Sequence, residues 1–275
     1  MANTVFYAWQ LDTPSEQNRT FIWNALVQAV KPLHVVGDIE ASPRPETDTG
    51  GVSGSPNIIE TIFKRIRNCS IFVADLTFTA KSERGKLSPN PNVLIELGYA
   101  ARSVGWERTI LVINEKYGSA QNLPFDILQH RWPIEYRMSE NTKVGERRFD
   151  QLSEAVKSAI ESCQKATLER ADEMADSLDT ATIDIIAQYE YADSIDIRLP
   201  AKTMGTLLSG LDHILAIRQL ISLGALRVSY PDVGYIWTYD GRRMIEALKR
   251  KHPLILDAVR PDRQGGIDKK KPEAT

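Results

Sequence analysis

The chain is poor in the features that would tie it to a metal, a membrane or a polyanion. Only two of its 275 residues are cysteine, Cys69 and Cys163, and no second cysteine or histidine stands at ligand spacing from either. Two buried free thiols in a reducing compartment are therefore expected, not a disulfide framework. The four histidines (His34, His130, His213, His252) are scattered, so no metal site is expected. No run approaches the ~20 apolar residues that span a bilayer. The opening MANTVFYAWQ has no basic stretch and no cleavage site, which leads us to expect a cytoplasmic protein without a membrane partner. A net charge of -2 provides no global field toward nucleic acid or lipid phosphates. The glycine-rich TGGVSGSPN lacks the Lys-Ser/Thr ending of a P-loop, which argues against a nucleoside triphosphatase.

What is present is an ordinary globular composition, 42% hydrophobic and 25% charged, which excludes a disordered chain. Strand-like runs fall at residues 5–9, 33–39, 70–76, 109–113 and 131–136. Between them lie helical patterns: Phe21, Ile22, Ala25, Leu26 and Ala29; then Ile58, Ile59, Ile62, Phe63 and Ile66 behind Pro56; then VLIELGYAARSVG behind Pro89 to Asn92. An amphipathic helix at 149–163 closes the series. Polar loops are expected at 40–55 and 77–88. Strands alternating with helices predict an α/β domain over residues 1–165, a five-stranded, doubly wound parallel sheet of the flavodoxin-like kind. In such sheets ligands bind outside the carboxyl ends of the strands.

From about Thr167 the pattern changes. A charged helical connector at 168–178 leads to three short helical segments, the third ended by Gly224. Two strand-like pieces (LRVSY, YIWTY) and a last helix at 241–251 follow. The stretch AIRQLISLGAL through YIWTYDGRRMIEAL resembles a winged helix, so a small winged-helix-like α+β domain is expected over 166–259. Residues 260–275 are expected to be a disordered tail.

The chemistry concentrates after the third strand. On the helix there, Asn92, Glu96, Tyr99 and Ser103 follow helical spacing as one polar stripe, with Val93, Leu97, Ala100 and Val104 as the buried one. Glu96 lies within about two turns of the helix N-terminus, near the carboxyl edge of the sheet. A fixed carboxylate there suits stabilisation of a positively charged sugar, as in breaking an N-glycosidic bond. It can also be a surface residue paired with Arg102. Asp75, ending strand three, can orient a ribose or cap the next loop. Trp9 and Asp12 follow strand one at the same edge, and Trp9 can stack on a flat ring or belong to the core. Asp38, after strand two, is read like Asp75. Asn114 and Asp126 are read as structural.

The segment VADLTFTAKSERGKLSPNPNVLIELGYA resembles the strand, loop and helix of bacterial TIR-like domains, where an Asn-Val pair precedes Glu-Leu-Gly. VFYAWQLDTPSEQNRTFI and the order of elements extend the likeness across roughly the first 160 residues. Its nearest form is the TIR effectors of anti-phage signalling systems. The resemblance implies an NAD glycohydrolase with Glu96 as the catalytic carboxylate. It further implies substrate contacts from Trp9, Asp12, Asp38, Asp75, Asn92 and Tyr99, and no cofactor, with NAD as substrate. The loop around 49–57 would gate the site or mediate assembly. Self-association and an activating nucleotide signal or partner protein are the implied regulation. A more distant likeness is to nucleoside 2-deoxyribosyltransferases, whose Gly-Thr step is here Asn92-Val93. The other alternative is a non-enzymatic nucleotide sensor that binds DNA through its winged helix. DNA is the less favoured partner, because residues 213–223 offer only His213, Arg218, Gln219 and Ser222 among apolar residues.

Overall fold

In the computed structural model the chain divides into two compact units, Met1–Thr167 and Leu168–Thr275. Residues 4–33, 38–41, 58–139, 146–192, 195–196, 210–229 and 234–256 are described.

The first unit runs β1 (Thr4–Ala8), α1 (Arg19–Val30), β2 (Asp38–Ala41), α2 (Ile58–Asn68), β3 (Ile71–Asp75), β4 (Phe78–Lys81) and β5 (Leu87–Pro89). It continues with α3 (Pro91–Ser103), β6 (Thr109–Asn114), α4 (Phe125–Leu128) and β7 (Ile134–Tyr136), and α5 (Glu146–Asp176) follows. Five strands form one parallel sheet in the order β2-β1-β3-β6-β7. This is the flavodoxin-like, doubly wound α/β arrangement. Because β3 and β6 are buried on both faces, they read in sequence as unbroken apolar runs.

Alternation along each strand divides the core in two. Val5, Tyr7, Ile71, Val73, Ile110 and Val112 meet Phe21, Ile22 and Leu26 of α1 and Leu152, Val156 and Ile160 of α5. Phe6, Ala8, Phe72, Ala74, Leu111 and Ile113 meet Ile62 and Ile66 of α2 and Val93, Leu97 and Ala100 of α3.

Three expectations about elements are corrected. The segment 77–88 is not a plain loop: β4 and β5 pair as an antiparallel hairpin. Its turn is closed by Ser82, whose backbone amide donates to the Lys86 carbonyl at 2.8 Å and whose hydroxyl accepts from the Lys86 amide at 3.0 Å. Phe78 and Pro89 are buried at the hairpin's base and Leu87 packs partly against the core, while its other residues are polar or exposed, so its sequence pattern is polar. Gly118, at φ +144°, lets the loop after β6 close on it; a Cβ there would lie 2.6 Å from Leu87 Cδ1. Second, β2 begins at Asp38, later than the apolar pattern indicates, and residues 34–37 lie outside the described ones. Third, α5 is one helix of 31 residues, with no break between 163 and 168. The charged connector is its continuation, and Leu168 onward belongs to the second unit.

The second unit holds α6 (Thr180–Tyr189), β8 (Ile195–Asp196), α7 (Gly210–Ser222), β9 (Leu226–Ser229), β10 (Gly234–Trp237) and α8 (Tyr239–Lys251). The strands form an antiparallel sheet, β8-β10-β9. Asp179 caps α6 by accepting from the Thr182 amide at 2.7 Å, and Thr238 caps α8 by accepting from that of Gly241 at 3.0 Å. Gly224 ends α7 as expected. The core gathers Ile185, Ile186, Leu220, Leu226, Trp237, Met244 and Leu248. A helix followed by a two-stranded wing and a closing helix is the winged-helix-like α+β arrangement. The expected helical segment at 200–209 and the tail at 260–275 lie outside the described residues.

Candidate active site at the carboxyl edge of the sheet

β1 stands between β2 and β3, so the chain winds outward from it in both directions. The crevice where such a sheet reverses lies at the carboxyl ends of β1 and β3, and both loops there are rich in polar residues. Asp75, fully buried at the end of β3, accepts from the Thr77 amide at 3.0 Å and from Gln10 Nε2 at 3.4 Å. Gln10 Nε2 also donates to Thr13 Oγ1 at 2.5 Å, and Gln10 Oε1 accepts from the Thr13 amide at 3.0 Å. Burial pushes the Asp75 carboxyl above its ordinary value of 3.8, and the bonds from Thr77 and Gln10 pull partly back. Asp75 thus closes a turn and braces the β1 loop, which is the structural one of its two expected roles.

The network continues sideways. The Asn114 amide, at the end of β6, donates to Thr77 Oγ1 at 3.0 Å. Asn114 Nδ2 donates to Asn18 Oδ1 at 3.0 Å and to the Met138 carbonyl at 3.1 Å, while its Oδ1 accepts from the amides of Lys116 and Met138. The Tyr136 hydroxyl donates to Asn18 Oδ1 at 2.9 Å. The ends of β1, β3, β6 and β7 are therefore tied by buried hydrogen bonds, and these amides had little sequence signal beyond their place at strand ends.

Glu96 is the sixth residue of α3. Asn90 caps that helix, its Oδ1 accepting from the amides of Asn92 and Val93 at 2.8 and 3.3 Å, and Pro91 takes the first helical position. Asn90 Nδ2 donates to Asp12 Oδ2 at 2.6 Å, which ties the β1 loop to the start of α3. Glu96 itself is only 5% exposed and shares the inner face of α3 with Val93, Leu97 and Ala100. The surface reading with Arg102 is corrected, and so is the polar stripe. Positions 93, 96, 97 and 100 follow the ordinary spacing of a buried helix face. Asn92 is exposed, and Tyr99 is half-buried, its ring stacked on Phe63 of α2 at 4.2 Å. A carboxylate at a core position is the informative departure here.

The remaining candidates separate. Trp9 is 4% exposed on the α1 side, with the Arg19 guanidinium 3.9 Å from its ring centroid. It therefore belongs to the sheet face opposite α3, and its role is core packing. Asp38 does not follow β2; it is the first residue of that strand, opposite Thr4, at the amino edge. Its expected place near the chemistry is corrected, because β2 starts late. Asp126 is exposed. Among the described residues no group of three or more His, Cys, Asp or Glu is arranged to hold a metal ion. Both cysteines are buried, and burial pushes the Cys163 thiol up despite Arg131 Nη1 at 3.5 Å. No helix among the described residues is long and apolar enough to cross a membrane.

No family model matches the chain, and no curated protein matches it. Nine solved chains do. One is FerB, a flavoenzyme NAD(P)H:(acceptor) oxidoreductase from Paracoccus denitrificans, 10% identical over 60% of this chain and 98% of that one, with a TM-score of 0.35. The expectation of no cofactor is withdrawn on this finding, because the similar structure is that of a flavoenzyme. At this TM-score the likeness assigns no flavin to the chain either.

Proposed function

We propose that the first unit is a TIR-like NAD glycohydrolase that cleaves the bond between nicotinamide and ribose, with Glu96 as the catalytic carboxylate. The observation that supports the reading is a carboxylate at a core position in the second turn of α3, the helix whose N-cap Asn90 is bonded to Asp12 of the β1 loop. As nicotinamide leaves, positive charge develops at the ribose carbon it was bonded to. A carboxylate held in a partly desolvated site stabilises that charge without having to reorganise, and water then attacks the same carbon. Asp12, exposed beside the helix N-terminus and held by Asn90, is the candidate partner for a ribose hydroxyl. Asp75 acts one step back, as a positioning residue through Gln10 and Thr77.

The setting we propose is cytoplasmic anti-phage defence, with activity regulated by self-association or by a signal received in the second unit. The rival reading, a DNA-binding sensor, draws no support from α7, where Ile214, Leu215 and Ile221 are exposed beside Arg218 and Ser222. The test is NAD consumption at several protein concentrations, wild type against Glu96→Gln. Loss of nicotinamide release in a variant with an unchanged melting temperature supports the assignment. Equal turnover in the two proteins, or no NAD loss at any concentration, sinks it.

A further inference from the structure

The sheet of the first unit ends at β7, which pairs with β6 and with no other strand among the described residues. The register shows which of its backbone groups face outward. The Val112 carbonyl accepts from the Leu76 amide at 2.8 Å, so residue 112 turns its backbone toward β3. Along a strand these directions alternate, so Ile113 turns toward β7 and bonds the residues on either side of its partner, Glu135. The backbone N–H and C=O of Glu135 therefore point away from the sheet. Met138 bonds the Asn114 side chain through both its amide and its carbonyl, so the groups of Arg137 point outward as well. Arg148 of α5 donates to the Arg137 carbonyl at 2.9 Å, which agrees with that direction and leaves the oxygen a second lone pair. Between α5 and this edge lies a cavity of about 280 Å³, lined among others by Ile134, Tyr136, Arg137, Arg148 and Leu152.

The side chains decide what can pair there. Ile134 and Tyr136 turn into the core, and Glu135 and Arg137, both exposed, share the opposite face. Charges on a short edge repel an arbitrary strand. Here they alternate in sign, and one arrangement satisfies them: two copies of β7 antiparallel about a two-fold axis at Tyr136, Glu135 of each opposite Arg137 of the other. Registers centred on Glu135 or on Arg137 set like charges face to face. Trp132, 54% exposed, donates its indole Nε1 to Glu135 Oε1 at 2.5 Å, which fixes that carboxylate at the edge. Glu115 is hydrogen-bonded to Glu135, and this bond holds its carboxyl above the ordinary 4.5. Two crowded carboxylates favour an incoming guanidinium.

We propose that β7 is a self-association edge: two copies of this chain pair their β7 strands antiparallel, Glu135 against Arg137 in both directions, and join two sheets into one. Glu135 of one copy and Arg137 of the other exchange both backbone bonds, because each presents its N–H and C=O outward. A strand of three residues makes a small interface, so the dimer is weak and forms at high concentration. This edge would be the surface of the self-association proposed above, whether or not the chain cleaves NAD.

The test is sedimentation equilibrium of the full chain from about 10 µM to about 500 µM. Wild type should pass from monomer toward dimer over this range. Glu135→Arg and Arg137→Glu should each weaken the dimer by about tenfold or more, because like charges then meet at both pairs. Both positions are exposed, so the single variants should melt as wild type does. An equimolar mixture of the two variants should dimerise at least as well as wild type, since E135R against R137E sets opposite charges together at both pairs. A chain that stays monomeric at about 500 µM overturns the proposal, and so does a dimer unaffected by Glu135→Arg. A mixture no better than its parts overturns it too. Nicotinamide release is not part of the readout, so failure here and failure of the glycohydrolase reading are told apart.

Discussion

Asn90 holds Asp12 at 2.6 Å with its amide nitrogen while its amide oxygen caps α3. One side chain thus aligns the β1 loop with the helix that carries Glu96. Asn90→Ala loses both roles and should cost about 1–2 kcal/mol in urea unfolding. Asn90→Asp keeps the cap but sets a carboxylate against Asp12. Its deficit should be largest at neutral pH and shrink on acidification; a deficit independent of pH contradicts the contact.

Asp75 makes a prediction about pH. Its folded value lies above the ordinary 3.8, so between these two values the folded chain binds more protons than the unfolded one. The stability it contributes is full below the ordinary value and is lost as pH rises through the folded value. Asp75→Asn cannot lose it. The melting temperature of the variant minus that of wild type should therefore become more positive as pH rises through this window. A difference that falls instead would contradict the raised value.

The Asn114 side chain makes four bonds to backbone groups at 3.4 Å or less and one to Asn18, apart from the bond of its backbone amide to Thr77. Asn114→Ala leaves several buried partners unpaired and should cost about 3 kcal/mol. Asn92→Ala, at an exposed position with no such network, should stay within about 0.5 kcal/mol of wild type. Similar losses from the two variants would mean that the network contributes little.

Two glycines should respond in opposite ways. A Cβ at Gly241 would lie 2.1 Å from the Ala225 carbonyl oxygen, a backbone atom that cannot turn aside. Gly241→Ala should destabilise the second unit by about 3 kcal/mol, read by calorimetry of the whole chain. Gly98, on α3, has no heavy atom within 4 Å of such a Cβ. Gly98→Ala should stabilise by roughly 0.5–1 kcal/mol. A loss at Gly98 would reveal a neighbour approaching that face.

The alternating architecture was legible because β3 and β6 are apolar without a break and because Pro91 marks a helix start. The β4–β5 hairpin was not, since Phe78, Leu87 and Pro89 are its few inward residues around a run of charges. Asp38 was misplaced because the paired residues are 38–41, of which only Ile39 is an apolar residue of the 33–39 run. Glu96 was singled out by its position after β3 and by resemblance, but its burial was missed. A charge invites assignment to the polar face, although 93, 96, 97 and 100 describe the inner one. The Asn114 network was invisible because its partners, Asn18 and Met138, lie far off in sequence.

That distance has a consequence in time. The bonds from Asn114 to Asn18 and from Tyr136 to the Gln17 carbonyl join residues 96 and 119 positions apart. Contacts of such long range form slowly, and these require that β7 has already docked beside β6. A chain leaving the ribosome can complete α3 and its Glu96 well before the rim around the crevice is tied. The buried ties at this edge can close only after the last strand of the sheet has been made.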